Sequence, residues 1–585
     1  ALIKYAAING GFEDSNGNNL PDLQAEWDKD GDGIPDNYYE ATDGYGIENA
    51  VRNALSTMLK RASSGTAASV LASGEGSGAN LIQAVFYPQR RFGNDIINWA
   101  GSLQNLWYYV DPFFASSSIR EDTVQESPNR TLNLINDNIA QLYFDITSQT
   151  TKVRRWQDTD GDGDADGSAL SPDIAFENLG NLWEAGNLLW NRDVTVAATK
   201  RKIYTTINGT SFLSGNFSKD TLNGDADNSA TLLPYFDLPT GTTDTNVDGW
   251  IDGNLDHNGT QFSPYTDQTA DASDAAILIR YIHGEDIGAD TSSPADGILD
   301  VFTQRQRTVT IGGTTKVWKL GDILNSTPKI SSWLPLNSYN TTYSDTTYKS
   351  FIDATAYQNR GMVFAGGNDG MLHAFKLGKL EIPNDSQADT CTFGTNDKAC
   401  LSNPTGYLGG STNSLGHEMW AFIPKNVLPY LRYILDPDYC HVYSVDFTPY
   451  IFDASIKIDP TATGQIAACS DVAYSDYWKC KKSSNSWRTI LIGGMRTGGA
   501  CRKTGVACNS GTDCVNTPKT DPLDSSKGLG YSSYFALDVT DQSNPTLLWE
   551  YSHPELGFAT TGPTVVRIKS RTAGATTSTP DADTN

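Results

Sequence analysis

The sequence predicts a multidomain, mainly β protein. The chain has 585 residues, and since an average domain has roughly 150 residues, several separate cores are expected. Short runs of aromatic and β-branched residues alternate with polar turns along much of the chain, which is typical of antiparallel sheets. A hydrophobic content of 38% and a charged content of 19% indicate a folded chain that can bury these cores.

Changes in this pattern divide the chain into four predicted segments. Residues 1–62 combine acidic loops with one amphipathic helix, IENAVRNALSTMLKRA, whose apolar residues recur at helical spacing. Residues 63–217 form a β-rich module with a helix near FENLGNLWEAGNLLWNRD, and its first Ser/Gly/Ala stretch is either a linker or an edge strand. Residues 218–317 hold a further acidic region and the helix ASDAAILIRYIHGED, which Gly284 ends as a C-cap. Residues 318–585 have short strands between Gly, Asn, Ser and Thr loops, and resemble the blades of a β-propeller.

The charge argues against a nucleic acid partner, and the hydropathy argues against a membrane-spanning segment. The 69 acidic and 43 basic residues give a net charge of −26, which repels phosphate backbones and anionic lipids and attracts divalent cations. No run reaches the roughly 18 apolar residues of a membrane helix. We therefore expect no nucleic acid partner and no membrane span. The first residues lack the regions of a signal peptide, which indicates a mature or processed piece.

The cysteines indicate an oxidising compartment. All eight lie between Cys391 and Cys514, and their spacings give neither a haem attachment motif nor a paired zinc motif. Disulfides on loops are therefore the favoured interpretation. Eight cysteines allow 105 pairings; the near neighbours Cys391 with Cys400 and Cys469 with Cys480 are the pairs that we predict.

Two acidic loops near the start form a fourteen-residue repeat, in which DSNGNNLPDLQAEW is followed directly by DKDGDGIPDNYYEA. Calcium prefers six to eight oxygen ligands in flexible geometry, which side chains at alternate loop positions and one backbone carbonyl can supply. Gly33 permits the sharp turn. The last carboxylate falls at position thirteen, so that the loops resemble thrombospondin type 3 repeats rather than EF-hands. The predicted ligands are Asp14, Asn16, Asn18, Leu20, Asp22 and Glu26 in the first copy, and Asp28, Asp30, Asp32, Ile34, Asp36 and Glu40 in the second.

Two later loops carry a similar pattern. QDTDGDGDADGS offers five alternating aspartates, which a folded loop tolerates poorly without a cation, although its ligand register is ambiguous. DTNVDGWIDGNLD repeats the offsets of the first two loops, with a backbone carbonyl from the tryptophan. Caged calcium would tie these loops together and leave no open position for catalysis, so we expect structural Ca²⁺. Solvated turns without an ion are the alternative. The predicted ligands are Asp158, Asp160, Asp162, Asp164 and Asp166, and Asp244, Asn246, Asp248, Trp250, Asp252 and Asp256.

Several phrases resemble the PilY-type proteins of type IV pili. They are KYAAINGGFEDSNGN, EWDKDGDGIPDNYY, WEAGNLLWNRD, IRYIHGED, VWKLGDILNSTP, GGNDGMLHAF, EMWAFIPKNVLPYL, YFALDVTD and LLWEY. The resemblance implies that residues 1–62 end a von Willebrand A-like α/β domain and that residues 318–585 open a quinoprotein-like β-propeller. The D-x-S-x-S motif of such A domains is absent from the sequence, and the closing PDADTN is unlike a propeller end. The A-domain core and later blades are therefore expected to be missing from this chain.

The same resemblance implies a function outside the cell. Family members are exported through the periplasm, lie at the pilus tip or outer cell surface, assemble with minor pilins, promote pilus biogenesis, adhere to surfaces and bind calcium. The family's propeller calcium loop has no clear match here, and no Arg-Gly-Asp motif is present.

Two other functions stay open, a quinone-dependent dehydrogenase and a calcium-rigidified structural surface protein. GGNDGMLHAF resembles a repeat of quinone-binding propellers, but its Gly and Asp residues form a blade turn whether or not a cofactor is bound. The six histidines are scattered, and neither H-E-x-x-H nor G-x-S-x-G occurs. His373 is expected to be a satisfied core or turn residue. We therefore predict that the chain is not an enzyme.

Overall fold

The computed structural model of this chain describes residues 2–11, 20–28, 31, 33–35, 64–72, 79–110, 117–125, 129–145, 150–238, 272–286, 305–383, 390–403, 413–435, 439, 441–456, 482–499 and 519–565. The first ten strands are β1 (Ser64–Ala72), β2 (Ala79–Phe92), β3 (Asp95–Val110), β4 (Ser117–Arg120), β5 (Arg130–Asn133), β6 (Ile139–Asp145), β7 (Thr150–Gln157), β8 (Asp166–Ala175), β9 (Trp183–Glu184) and β10 (Ile203–Thr205).

The described residues also form later strands and α-helices. The later strands are β11 (Thr308–Ile311), β12 (Thr314–Val317), β13 (Lys329–Ser332), β14 (Gly361–Gly366), β15 (Leu372–Lys376), β16 (Lys379–Glu381), β17 (Asp397–Ser402), β18 (Glu418–Ile423), β19 (Tyr450–Ser455), β20 (Trp487–Gly494), β21 (Lys519–Asp521), β22 (Asp524–Leu529), β23 (Ser533–Asp538) and β24 (Thr546–Ser552). The α-helices are α1 (Leu2–Gly11), α2 (Ala185–Asn191), α3 (Ser229–Leu232), α4 (Ala272–His283), α5 (Tyr339–Thr342), α6 (Thr346–Ile352), α7 (Thr355–Gln358) and α8 (Leu431–Leu435). The predicted mainly β class is confirmed.

Three sheets carry most of these strands. The largest has eight antiparallel strands in the order β1-β2-β3-β4-β6-β7-β8, with β9 paired to β3. A second sheet has the order β10-β18-β15-β14-β13, in which only the β10–β18 pair is parallel. A third sheet, β19-β20-β23-β24, is antiparallel throughout. Smaller sheets join β16-β17-β5, β11-β12 and β21-β22.

Buried apolar residues join the three large sheets through two cores. Successive side chains of a strand point to opposite faces, and β14 is buried along its whole length. Val363 of β14 therefore shares one core with Trp107 of the eight-stranded sheet. Phe364, its neighbour, shares another core with Leu491 and Phe535 of the four-stranded sheet. The five-stranded sheet thus lies between the other two.

Most local predictions on the described residues are confirmed. The region after residue 79 is an antiparallel β module, and the Ser/Gly/Ala stretch before it contains the edge strand β1 rather than being only a linker. Helix α4 ends at Gly284, whose positive φ of 101° allows its N–H to donate to the carbonyls of Arg280 and Tyr281. The helix predicted near residues 176–193 is shorter, a 3-10 turn at Phe176–Asn178 followed by α2.

Two strand pairs cross the predicted segment boundaries. Strand β5 of the 63–217 segment pairs with β17, and β10 of the same segment pairs with β18. The four segments stay a prediction, as do their boundaries. The helix IENAVRNALSTMLKRA lies outside the described residues, whereas α1 was not predicted. In the described part of the chain, no helix has the length and apolar character needed to cross a membrane.

Candidate metal centre

The best-defined acidic loop connects β7 to β8 at one edge of the eight-stranded sheet. Gln157 pairs with Asp166, so that residues 158–165 form the hairpin loop. Gly161 and Gly163 have φ values of 76° and 102°, a region that residues with a side chain rarely occupy. The alternating D-T-D-G-D-G sequence therefore places small residues where the backbone turns back on itself.

Asp158 organises this loop from inside. Its side chain is fully buried, and its Oδ1 accepts a hydrogen bond from the Gly161 N–H at 2.8 Å. Its Oδ2 accepts from the Gly163 N–H at 3.0 Å and from Arg120 Nη2, also at 3.0 Å. A buried carboxylate with charge-assisted and backbone donors fixes the conformation of the loop around it.

Arg120 is the buried cation behind the loop. Its Nη2 also donates to the Gly163 carbonyl at 2.8 Å, and its Nη1 donates to the carbonyls of Leu134 and Asp137 at 3.2 and 3.1 Å. The side chain is fully buried. Arg120 therefore ties the acidic loop to the turn that follows β5. Sequence reasoning missed this residue, because nothing in the sequence links an arginine in β4 to a loop 38 residues later.

Three carboxylates converge on the loop. One oxygen from each of Asp158, Asp160 and Asp166 lies within 4.8 Å of the others. Calcium–oxygen distances of 2.3–2.6 Å allow two ligand oxygens to lie up to about 5 Å apart, so this spacing fits one calcium ion. Asp166 Oδ2 accepts hydrogen bonds from the Thr159 N–H at 2.7 Å and its hydroxyl at 2.6 Å, and these lower the pKa of Asp166.

The positions of the three carboxylates match one register of a calcium loop. Asp158, Asp160 and Asp166 occupy positions one, three and nine of the loop, while Asp162 and Asp164 lie outside the three-residue group. The exposed Asp162 side chain accepts from the Asp164 N–H at 2.9 Å. Asp162 would stand at position five, and Asp164 at position seven, where calcium loops supply a backbone carbonyl.

The loop after Asp28 repeats this inner arrangement. Asp28 Oδ1 accepts from the Gly31 N–H and Oδ2 from the Gly33 N–H, both at 2.8 Å. The two glycines have φ values of 75° and 80°. The neutral side-chain amide of Gln24 also donates to Asp28 Oδ2 at 2.6 Å. The first loop position therefore has the same backbone partners in both loops.

Among the described residues, the other predicted ligands of the first two loops do not form a further group of converging carboxylates. Glu26 is buried, and its side chain accepts a hydrogen bond from the Leu23 N–H at 3.2 Å, which caps the 3-10 turn Gln24–Glu26. Leu20 and Ile34 are exposed on the surface of this segment, as is Asp22. The other candidates lie outside the described residues, namely Asp14, Asn16, Asn18, Asp30, Asp32, Asp36, Glu40, Asp244, Asn246, Asp248, Trp250, Asp252 and Asp256.

His373 belongs to a buried charge network. Its Nε2 lies 3.0 Å from Asp369 Oδ1 and its Nδ1 lies 2.8 Å from Glu418 Oε1. Glu418 also accepts from Arg201 Nε at 2.7 Å and Nη2 at 2.8 Å. Burial lowers the pKa of His373, but Asp369 and Glu418 outweigh burial and raise it to about 9. The expectation of a satisfied core histidine is confirmed.

One predicted disulfide is present. Cys391 is bonded to Cys400, and the loop between them contacts the turn behind the acidic loop, since the Leu134 N–H donates to the Asn396 carbonyl at 3.2 Å. Asp397 Oδ1 accepts from Asn133 Nδ2 at 2.7 Å in the same contact. The predicted pair Cys469 and Cys480 lies outside the described residues.

Comparison with known proteins identifies relatives of one type. Type IV pilus biogenesis factor PilY1 of Pseudomonas aeruginosa is 25% identical over 256 residues, which is 43% of this chain and 14% of the relative. The protein from strain UCBPP-PA14 is 25% identical over 325 residues, 53% of this chain and 19% of the relative. A PilY1 homolog of Xylella fastidiosa is 26% identical over 294 residues, 50% of this chain and 15% of the relative.

These alignments cover only a small part of each relative. The chain spans between 14% and 19% of the length of these three proteins. No family model and no solved structure matches the chain. Over about half of its length, this chain is therefore similar to PilY1-type proteins.

Proposed function

We propose that the chain is part of a type IV pilus biogenesis factor that acts outside the cell. Its similarity to relatives named type IV pilus biogenesis factors carries this proposal. The Cys391–Cys400 disulfide supports a route through the oxidising periplasm, since disulfides persist in such compartments. The proposed site of action is the pilus tip or the outer cell surface, where the chain would assemble with minor pilins and adhere to surfaces.

We also propose that Ca²⁺ stabilises the acidic loops. Asp158, Asp160 and Asp166 would hold the ion, and Asp162 and the Asp164 carbonyl are the available groups at the intermediate positions. The spacing of the three carboxylates and the acidic charge of the loop support this assignment. A cation would also offset the repulsion between carboxylates that lie this close together. The proposed role is structural.

The sheet topology supports a propeller-like architecture for the last segment. Strands β13, β14, β15 and β18 are antiparallel neighbours in chain order, and so are β19, β20, β23 and β24. Four antiparallel strands in sequence are the unit of a β-propeller blade. We propose that these two sheets are opening blades of a quinoprotein-like propeller, and that residues 1–62 end a von Willebrand A-like domain.

We propose no catalytic role. Both ring nitrogens of His373 are committed to buried carboxylates beside the GGNDGMLHAF turn. Asp369 of that turn accepts from the Gly321 N–H at 2.9 Å, which links the turn to VWKLGDILNSTP. The shared phrases of this region therefore make structural contacts with one another, which supports a binding and assembly role over a quinone-dependent dehydrogenase.

Deletion of the gene that encodes this chain tests the pilus proposal. We expect fewer surface pili and reduced surface motility, both restored by the full-length gene, because a biogenesis factor is needed for assembly. Pili would be counted by electron microscopy, and total pilin would be measured by immunoblotting as a control for expression. Normal piliation in the deletion strain would contradict the proposal.

A further inference from the structure

A polar cleft lies between α2, the turn before β9 and the end of β17. It has a volume of about 490 Å³, within the range of roughly 300–1,000 Å³ that is usual for ligand sites. Side-chain amides dominate its polar lining, and we call it the amide cleft. Its amide and hydroxyl side chains are Gln125, Asn178, Asn181, Asn187, Asn403 and Ser414.

The cleft has an exposed rim and a buried floor. Gln125, Asn178, Asn187 and Ser414 are exposed at its rim. Trp183 is buried in its floor and donates its indole N–H to the Leu377 carbonyl at 3.2 Å. Trp183 belongs to β9, which pairs with β3. The floor is therefore held by a rigid sheet, while the rim amides face water.

Two charged side chains of the cleft already have partners. Glu184 Oε1 accepts from the Ser102 hydroxyl at 2.7 Å and the Gly186 N–H at 2.9 Å, and Oε2 accepts from the Asn187 N–H. Arg130 lies 3.6 Å from Asp122 and donates to the Leu182 carbonyl at 3.2 Å. The third charged side chain, Glu177, is exposed. This arrangement does not favour a strongly charged ligand.

Asn403 adds an independent indication of a ligand. It is only 5% exposed, and its Nδ2 donates to the Asn413 carbonyl at 3.1 Å. Its buried Oδ1 has no hydrogen-bond partner among the described residues. Leaving a buried acceptor without a donor is unfavourable, so a bound group that donates a hydrogen bond would complete this part of the cleft.

We propose that the amide cleft binds a neutral saccharide. A carboxamide presents both donors and an acceptor, and a hydroxyl group also donates and accepts, so that several amides can match a ligand with many hydroxyls. Asn403 Oδ1 would accept from one of these hydroxyls. The inference rests on the proposed adhesive role, to which it gives a ligand class, but it does not depend on the calcium sites.

Titration of the purified 585-residue chain with D-galactose, D-mannose, N-acetyl-D-glucosamine and lactose tests the proposal. Binding would be followed by saturation-transfer NMR and calorimetry in calcium-containing buffer. We expect saturable binding of at least one of these sugars. Asn187→Ala and Asn178→Ala should each weaken it by roughly tenfold, since each removes one exposed hydrogen-bonding side chain.

Asn359→Ala is the matched control, because Asn359 is exposed and lies outside the cleft. This variant should bind as the unsubstituted chain does, and all three variants should keep its melting temperature. Absence of saturable binding by all four sugars would overturn the proposal. So would binding that neither cleft variant weakens. Sugar binding is measured on the isolated chain and piliation in cells, so this inference and the pilus proposal can fail separately.

Discussion

Arg120 shows how one residue can fix a loop that the sequence presents only as a run of acids. Its guanidinium donates to Asp158 and to the carbonyls of Leu134, Asp137 and Gly163. Burying a charge is unfavourable unless it is paired and hydrogen-bonded, and Arg120 meets both conditions. Arg120 thus holds the buried side of the loop, whereas Asp160 lies on its exposed side.

Replacing Arg120 should destabilise the chain strongly. We expect Arg120→Ala to lower the free energy of unfolding by about 3–5 kcal/mol, because it leaves the buried Asp158 carboxylate without its cation. Urea denaturation followed by fluorescence would measure the change. Arg154→Ala is the control, since Arg154 pairs with Asp173 at 3.0 Å but is 47% exposed; its effect should be far smaller. Equal effects of the two substitutions would contradict this account.

His373 couples stability to pH. Its pKa in the folded chain is raised to about 9, above the value of about 6.5 for an exposed histidine. A group of this kind stabilises the fold fully below the unfolded pKa, and that contribution is lost as the pH rises through the folded pKa. Burial of Lys319 and Lys376 lowers their pKa values to about 7 and about 8, which acts in the opposite direction. Comparing the unsubstituted chain with a His373 variant therefore isolates the contribution of this histidine to the pH dependence of stability.

We expect the stability advantage of the unsubstituted chain over His373→Gln to shrink as the pH rises from 6.5 to above 9. The decrease should be roughly 3 kcal/mol, because the imidazolium loses its proton and with it the attraction to Asp369 and Glu418. Chemical denaturation of both proteins at several pH values would measure it. A difference that stays constant across this range would show that the histidine is uncharged throughout.

At the scale of elements, glycines decide the shape of the β7–β8 hairpin. Gly163 has a φ of 102°, and a Cβ atom there would lie 2.9 Å from Cε1 of the Tyr109 ring. Gly167 has a φ of 68°, but a Cβ atom at that position would meet nothing within 4 Å. Both positions require a positive φ, but only Gly167 has free space for a side chain.

This difference predicts unequal effects of alanine. Gly167→Ala should cost roughly 1 kcal/mol for the left-handed backbone, whereas Gly163→Ala should cost about 2–3 kcal/mol because the clash with Tyr109 adds to that strain. Urea midpoints in calcium-free buffer would compare the two variants. If Gly163→Ala were the milder substitution, the packing of Tyr109 against this loop would be refuted.

The sequence predicted the position of this loop, but not which of its acids converge. Alternating aspartates and glycines mark the turn, because each residue type has a local backbone preference. The register depends on tertiary contacts, above all the hydrogen bonds of Asp158 to Gly161 and Gly163 and its pair with Arg120. Spacing alone does not distinguish the five aspartates as candidate ligands. The pairing of Asp158 with Arg120 of β4 is a tertiary contact that does distinguish them.

For the whole molecule, the order of the sheets limits where the chain can be divided. Strands β10 and β5 complete sheets built from β18 and β17. Trp107 of the eight-stranded sheet and Val363 of the five-stranded sheet are fully buried in one core. Folding of residues 318–585 therefore uses residues that lie before residue 217, far from this segment along the chain.

A chain cut at residue 318 should lose cooperative unfolding. Residues 318–585 alone would expose the face that contains Val363 and Phe375, both 0% exposed in the full chain, and would leave β18 without its parallel partner. Differential scanning calorimetry would show a broad or absent transition. A chain of residues 63–585 is the control, because every strand of the described sheets begins at or after Ser64. An intact transition for the shorter piece would show that it is an independent domain.

Long-range pairing is also what the sequence could not predict about the fold. Period-two patterns identified the strands of the β module, and caps identified the α4 helix, because both signals are local. The parallel pairing of β10 with β18 joins Ile203 to Ala421. No local pattern specifies a partner more than 200 residues away, so the predicted segments separate strands that share a sheet.

Calcium-dependent calorimetry would show whether Ca²⁺ stabilises the acidic loops. We expect saturating Ca²⁺ to raise the melting temperature of the full chain, since a ligand at a hundredfold excess over its dissociation constant adds about 2.7 kcal/mol to stability. Asp160→Ala removes an exposed candidate ligand and should reduce this response, while Asp353→Ala, an exposed acid beside α6, should not. The melting temperature should therefore be higher in calcium, chelation should reverse the increase, and Asp160→Ala should diminish it. The same melting temperature with calcium and with chelator would contradict it.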